Sequence, residues 1–169
     1  LVSRVNTKIN HPTKFLFVAA MNPCPCGNLL SKTKTCRCSD LEIQRYKNKL
    51  SDPFLDRIDL NVTMEEVNIN DTTNISSRQM HGIVKNAFIR QILRGQSELN
   101  GKLNDQDIEK YCTLDEQAQD ILQKAIINYQ LSFRGINKIK KVARTIADIE
   151  DSKNIQSIHI LEALSYRKR

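Results

Sequence analysis

From Phe15 to Met21 the chain reads FLFVAAM, an uninterrupted apolar run flanked by His11-Pro12 and Asn22-Pro23. Its length and its proline-marked ends predict a strand buried on both faces. Such strands occur mainly in parallel sheets covered by helices. Ser39 with Glu42 forms a capping-box pattern that opens a helix through about Lys49, with Leu41, Ile43 and Tyr46 as its apolar positions. Ser51-Asp52-Pro53 then starts a short helical turn, and Ile58, Leu60 and Val62 alternate with Asp59, Asn61 and Thr63 as a second strand. Past a polar stretch from Asn68 to Ser77 the period changes. Helices are predicted at about 76–95, 104–111, 114–130, 133–150 and 157–167, with capping boxes at Ser76/Gln79 and Thr113/Glu116. The fourth is the clearest: Phe133, Ile136, Ile139, Val142, Ala143, Ile146 and Ile149 recur at helical spacing, leaving Arg134, Lys138, Lys141 and Asp148 on the other side. The fold class read from the pattern is α/β followed by all-α: an α/β unit over 1–67, a linker over 68–77 and a helical bundle over 78–169.

Composition narrows the class. At 169 residues and 40% hydrophobic content the chain is long enough for a core and too apolar for general disorder. No apolar run approaches the length of a membrane span. Five cysteines, an odd number, with no apolar leader and an opening on Leu1, read as a reduced, cytoplasmic protein cut from something longer. The net charge of +7 suits polyanionic partners, and is also ordinary for solubility. Ten of the 26 Lys and Arg residues fall in 1–63 against five acids. Lys32, Lys34, Arg37, Arg45, Lys47 and Lys49 are a candidate nucleic-acid patch, or equally a solvated loop and helix.

The most distinctive chemistry is Cys24-x-Cys26 followed by Cys36-x-Cys38, threaded with Pro23, Pro25 and Gly27. Four soft ligands in two close pairs suit a tetrahedral Zn2+ site, although the usual pair spacing is one residue longer. Free thiols and disulfides are the alternatives. Cys112 stands alone and reads as a packed helix residue. Asn22, at the tip of the predicted strand, is placed to contact a phosphate oxygen or orient a water, or is a plain Asn-Pro turn. Arg57, within Asp56-Arg57-Ile58-Asp59, offers a planar cation to a phosphate or pairs with a neighbouring acid. Arg134 lies in the first turn of the fourth helix, where free N–H groups favour an anion; a solvated face is its alternative, as for Lys138 and Lys141. Residues 27–33 end like a P-loop but lack its spacing, and Glu65-Glu66 imitates a Walker-B acid pair with no P-loop before it. The chain therefore makes no complete NTP site by itself. His11, His81 and His159 show no catalytic or metal pattern.

The strings VAAMNPCPCG (18–27), LSDPFLDRIDL (50–60), LSFR (131–134), VARTIADI (142–149) and HILEALSYR (159–167) resemble those of the magnesium-chelatase-like AAA+ ATPases of the ComM/YifB type. The resemblance covers nearly the whole chain. It implies a partial AAA+ core followed by a helical lid, in a hexameric motor that uses ATP and Mg2+ and acts on DNA in recombination or natural transformation. It implies that Asn22 is sensor 1, that Arg57 is an arginine finger reaching a neighbouring subunit's nucleotide, and that Arg134 is sensor 2. Alternatives are a zinc-bearing nucleic-acid-binding module, or an ATPase that remodels a protein or metallocofactor complex. Asp52 and Gly135 depart from the family's common Gly and Ala, and Gly135 weakens the start of its helix. Relatives carry a Lon-protease-like domain, the P-loop and Walker B before the point matching Leu1. The chain alone is then expected to lack ATPase activity and to leave a sheet edge open.

Overall fold

The computed structural model describes residues 2–4, 7–10, 15–67, 70–72 and 74–167. The His11-Pro12 flank and positions 68, 69 and 73 of the expected linker lie outside them. The chain forms two compact units, Leu1–Lys49 and Leu50–Arg169. Residues 50–67, grouped with the first unit by the hydrophobic pattern, thus belong spatially with the helices.

In the first unit an antiparallel hairpin pairs β1 (Val2–Arg4) with β2 (Thr7–Ile9), in a register that sets Val2 opposite Ile9. This hairpin was not predicted. Helix α1 (Asp40–Lys47) follows, with both halves of the Ser39/Glu42 capping box made. The predicted strand at 15–21 does not form: Leu16 is 88% and Val18 80% exposed, and β1 and β2 make the only sheet among the described residues. A strand needs partner strands for its N–H and C=O groups and a layer for its side chains, so the apolar pattern alone does not make one. The second predicted strand is corrected on the same ground. Residues 58–67 form no strand, Leu60 and Val62 are exposed, and the Asn61 N–H donates to the Tyr166 carbonyl at 2.8 Å. The described residues are mostly helical.

The second unit begins with the turn α2 (Asp52–Leu55), whose Pro53 sits in the first turn where no N–H is required. It continues with α3 (Ser77–Leu93), α4 (Asp105–Tyr111), α5 (Glu116–Tyr129), α6 (Phe133–Ile149) and α7 (Ser157–Ser165). Each lies within two residues of its predicted ends. The box at Ser76/Gln79 is present, whereas α5 is capped by Asp115, which accepts from the Ala118 N–H at 2.7 Å, in place of Thr113. The Thr113 carbonyl is taken instead by the Ile155 N–H at 2.8 Å, in a bridge tying the approach to α5 to the approach to α7. Helix α6 is the spine. Ile139, Ala143, Ile146 and Ala147 join Ile108, Cys112, Ala118, Leu122, Ile155 and Ile160 in one core, and the fully buried Ala143 and Ala147 let neighbouring helices approach α6 closely. Burial pushes the Cys112 thiol up to about 11, as befits a packed residue. No helix among the described residues is long and apolar enough to cross a membrane.

The apolar face of α6 is also interrupted by charge. Asp148, expected on the solvent side, is buried beside Arg144, which is wholly buried. Arg144 reaches Asp148 at 2.9 Å and donates to the carbonyls of Ser152 and Lys153, closing the turn into α7. Arg94 pairs with the same carboxylate, and Asn100 donates to it at 2.8 Å. Every oxygen of Asp148 is therefore engaged, and two guanidiniums depend on it. Breaking a buried pair leaves an uncompensated charge, so Asp148→Asn is expected to cost about 3 kcal/mol. Urea unfolding checks this: the midpoint falls while the slope is unchanged.

Candidate functional site

Two constellations stand out, one in each unit. In the first, Pro23 to Gly27 folds into a tight turn: the Gly27 N–H donates to the Cys24 carbonyl at 3.0 Å, and Gly27 holds φ +80°, a conformation that favours glycine. The turn directs Cys24 and Cys26 toward Cys36 and Cys38. All four sulfurs lie within 4.8 Å of one another, with Cys24 to Cys26 at 3.5 Å, Cys24 to Cys36 at 3.7 Å and Cys26 to Cys36 at 3.6 Å. A tetrahedron of thiolates about an ion with bonds of about 2.3 Å has edges of about 3.8 Å. The cysteines are free, so the disulfide alternative is not realised. Backbone N–H groups of Arg37 and then Asn28 hold the Cys26 thiol down at about 6. The Cys26 N–H acts likewise on Cys38, but burial and the neighbouring sulfurs outweigh it and push that thiol up to about 12. Neighbouring sulfurs help raise the Cys36 and Cys38 thiols, a mutual repulsion that a divalent cation among them would relieve.

Asn22 precedes this turn, exposed, with its carboxamide packed toward Gly27. Since the strand before it is not formed, it stands beside the cysteine turn and not at a strand tip. Lys32, Lys34, Arg37, Arg45, Lys47 and Lys49 are all exposed. Arg45 and Lys47 end α1, where cations suit the helix dipole, and Lys49 lies over the Tyr46 ring at 5.8 Å.

In the second unit, Arg57 and Arg134 line one cleft of about 530 Å³ together with Lys138 and Lys141 and the acids Asp59 and Asp105. Arg57 emerges from the end of α2, its Nη1 donating to the Pro53 carbonyl at 2.6 Å. Arg134 is set by the start of α6, where Ser132 caps the Gly135 N–H at 3.1 Å, and it has no hydrogen-bond or ion-pair partner among the described residues. The acids are already occupied: Asn137 donates to Asp105 at 2.8 Å, and Lys138 pairs with Asp59 at 3.4 Å. Four cations against two acids leave the cleft cationic on balance, a fit for phosphate oxygens. No free carboxylate pair here would hold Mg2+.

The loop carrying Arg57 is fastened to α6. Lys138 Nζ donates to the Asp56 carbonyl at 2.5 Å, and Arg167 approaches the Asp56 carboxylate at 3.6 Å. Burial lowers the Lys138 pKa, opposed by Asp59 and Asp56. Arg167 also explains Gly135: a Cβ there would come within 2.6 Å of the Arg167 guanidinium. The glycine that weakens the helix makes room for the side chain that grips the loop. Neither Lys138 nor Arg167 was singled out as part of the site by the sequence reading. The available signal was the one-turn spacing from Arg134 to Lys138 and the pair of acids flanking Arg57.

Residues 1–72 match the family described as magnesium chelatase, subunit ChlI, and residues 74–167 the family described as magnesium chelatase, subunit ChlI C-terminal. Among curated proteins, the competence protein ComM of Haemophilus influenzae is 37% identical over 99% of this chain, and YifB of Escherichia coli is 39% identical over 98%. YifB of Salmonella typhimurium is 35% identical over 98%. In each case the chain spans only 33% of the relative's length. With both halves matched in order and relatives such as ComM and YifB aligned along nearly all of it, the chain belongs to the magnesium-chelatase-like family.

Proposed function

We propose that this chain supplies the charge-stabilising and nucleotide-sensing residues of an AAA+ ATP hydrolase that works on DNA as a hexamer. The observation that carries the reading is the convergence of Arg57 and Arg134 on one cationic cleft. In hydrolysis a water oxygen bonds to the γ-phosphorus as the bridging P–O bond breaks, giving ADP and inorganic phosphate, and negative charge on the transferring group must be stabilised. Planar guanidiniums suit that task because they offer two N–H groups in one plane. In the full-length protein the nucleotide is gripped by the P-loop that the family resemblance places before the point matching Leu1. Arg57 reaches it across a subunit boundary, and Arg134 senses it from the lid. Asn22, in the first unit, orients the attacking water as sensor 1.

In the assembled protein the exposed apolar segment 15–21 and the alternating segment 58–63 each serve as a strand of the AAA+ core, and the helices after α2 serve as its lid. The exposure of Leu16, Val18, Leu60 and Val62 supports this, since each side chain awaits a covering layer. Mg2+, where bound, neutralises phosphate charge. Cys24, Cys26, Cys36 and Cys38 hold a structural Zn2+ that cross-links the loop. The six exposed cations on and beside that loop face DNA phosphates.

The test of the ATPase reading is Arg57→Ala in the assembled full-length protein, where normal turnover overturns it. The DNA reading has its own. Each phosphate neutralised by a cation on duplex DNA contributes about −0.9 to the slope of log affinity against log salt. Replacing Lys32, Lys34 and Arg37 together by Ala is expected to weaken binding and make that slope shallower by up to about 3. Binding indifferent to salt removes the patch from consideration.

A further inference from the structure

The sequence alone offered Arg57 two fates, phosphate contact or neutralisation by Asp56 and Asp59 on either side. The structure shows those acids engaged by other cations. Lys138 reaches both the Asp56 carbonyl and the Asp59 carboxylate, and Arg167 lies against the Asp56 carboxylate. The Lys138 side chain is only 16% exposed, so its ammonium faces inward to these acceptors. It stands one helical turn after Arg134 on α6, which puts both on the same face of that helix.

We infer that Lys138, aided by Arg167, is a positioning residue: it fastens the Arg57 loop to the helix that bears Arg134 and draws the flanking carboxylates away from the Arg57 guanidinium. The inference rests on the reading of Arg57 as the residue that stabilises the transferring phosphoryl group. Two consequences separate it from simple packing. First, Lys138 acts through Arg57 and so has no effect where Arg57 is missing. Second, when Lys138 is lost, the harm comes partly from Asp59, which is then free to pair with Arg57. Removing that carboxylate should repair it.

The experiment measures ATP turnover by the full-length assembled protein, with assembly state and helicity followed alongside. A misplacement near 1 Å in a catalytic group costs up to about 100-fold. Lys138→Met, which keeps the length of the apolar stem, is expected to lower kcat by about 10- to 100-fold with KM within about twofold. Adding Asp59→Asn should bring kcat back to within about threefold of the parent. In an Arg57→Ala background, Lys138→Met should change turnover by less than about twofold. Unchanged kcat in Lys138→Met overturns the inference. So does a loss that persists undiminished in the Arg57→Ala background, which would make Lys138 itself a phosphate ligand, and so does a loss that Asp59→Asn leaves in place. Should Lys138→Met not assemble, Arg167→Met frees Asp56 alone and carries the same comparison, with a several-fold loss expected that vanishes without Arg57. Normal turnover by Arg57→Ala alone is a different failure, because it refutes the underlying assignment of Arg57 whatever Lys138 does.

Discussion

Arg57→Ala, made in the full-length protein and assayed after assembly, is expected to lower ATP turnover about a thousandfold while leaving subunit association and nucleotide binding nearly intact. The size follows from what a guanidinium does in phosphoryl transfer: it meets charge that appears only as the bridging bond breaks, and removing such a group costs between about 10³ and 10⁵ in rate. The ground state gives up little, so KM should move much less than kcat. Arg57→Lys is the sharper control. Lysine keeps the charge but presents it as a single point without the planar fork, and it cannot at once hold the Pro53 carbonyl and face the cleft as Arg57 does. Its turnover should lie nearer that of Ala than that of Arg. Measurement by phosphate release on size-selected oligomers decides the matter.

Zinc removal should have the other large effect, confined to the first unit. Cys24 is the one buried side chain among the residues described there, so the loop has almost no apolar core to hold it once the sulfurs lose their common partner. Structural Zn2+ in small metal-folded modules contributes on the order of 10–16 kcal/mol, which far exceeds what the turn at Gly27 supplies alone. Protein purified without oxygen is expected to carry about one equivalent of zinc, and Cys36→Ser less than a tenth. On chelation, the amides of residues 22–38 should lose hydrogen-exchange protection, while α3 to α7 keep theirs because their core contains none of the four ligands. Parent protein prepared in this way with less than a tenth of an equivalent would refute the metal assignment.

What the sequence discloses here depends on how far apart the interacting groups lie. Helices α3 to α7 are readable because their signals are local: an apolar period, and caps such as Ser76 with Gln79 that satisfy N–H groups three residues away. The one misread cap, Thr113, fails because its carbonyl is claimed by Ile155 from beyond α6. Strands need distant partners, so FLFVAAM gives a correct statement of apolarity and an incorrect one of pairing. The cysteine loop is legible since its four ligands fall within fifteen residues, and the motif itself carries the chemistry. The cleft is not: Lys138 meets Asp56 across 82 residues of sequence, and nothing in the composition of either segment announces the contact. Asp148 misleads for a related reason. A carboxylate that the helical period sets on the polar side reads as solvent-exposed until Arg144, Arg94 and Asn100 are seen around it.

The exposed run at 15–21 bears on how the chain behaves among its own copies. It holds no charge and no proline within its seven residues, only Lys14 flanking it, and its residues suit extended pairing. Pairing between two molecules is a second-order event, so its rate rises with the square of concentration, whereas folding of the helices is first-order and indifferent to it. Handling of the isolated chain is therefore governed by collision frequency: dilution, cold synthesis or a chaperone that sequesters the segment should favour the monomer, with no change in the stability of any helix.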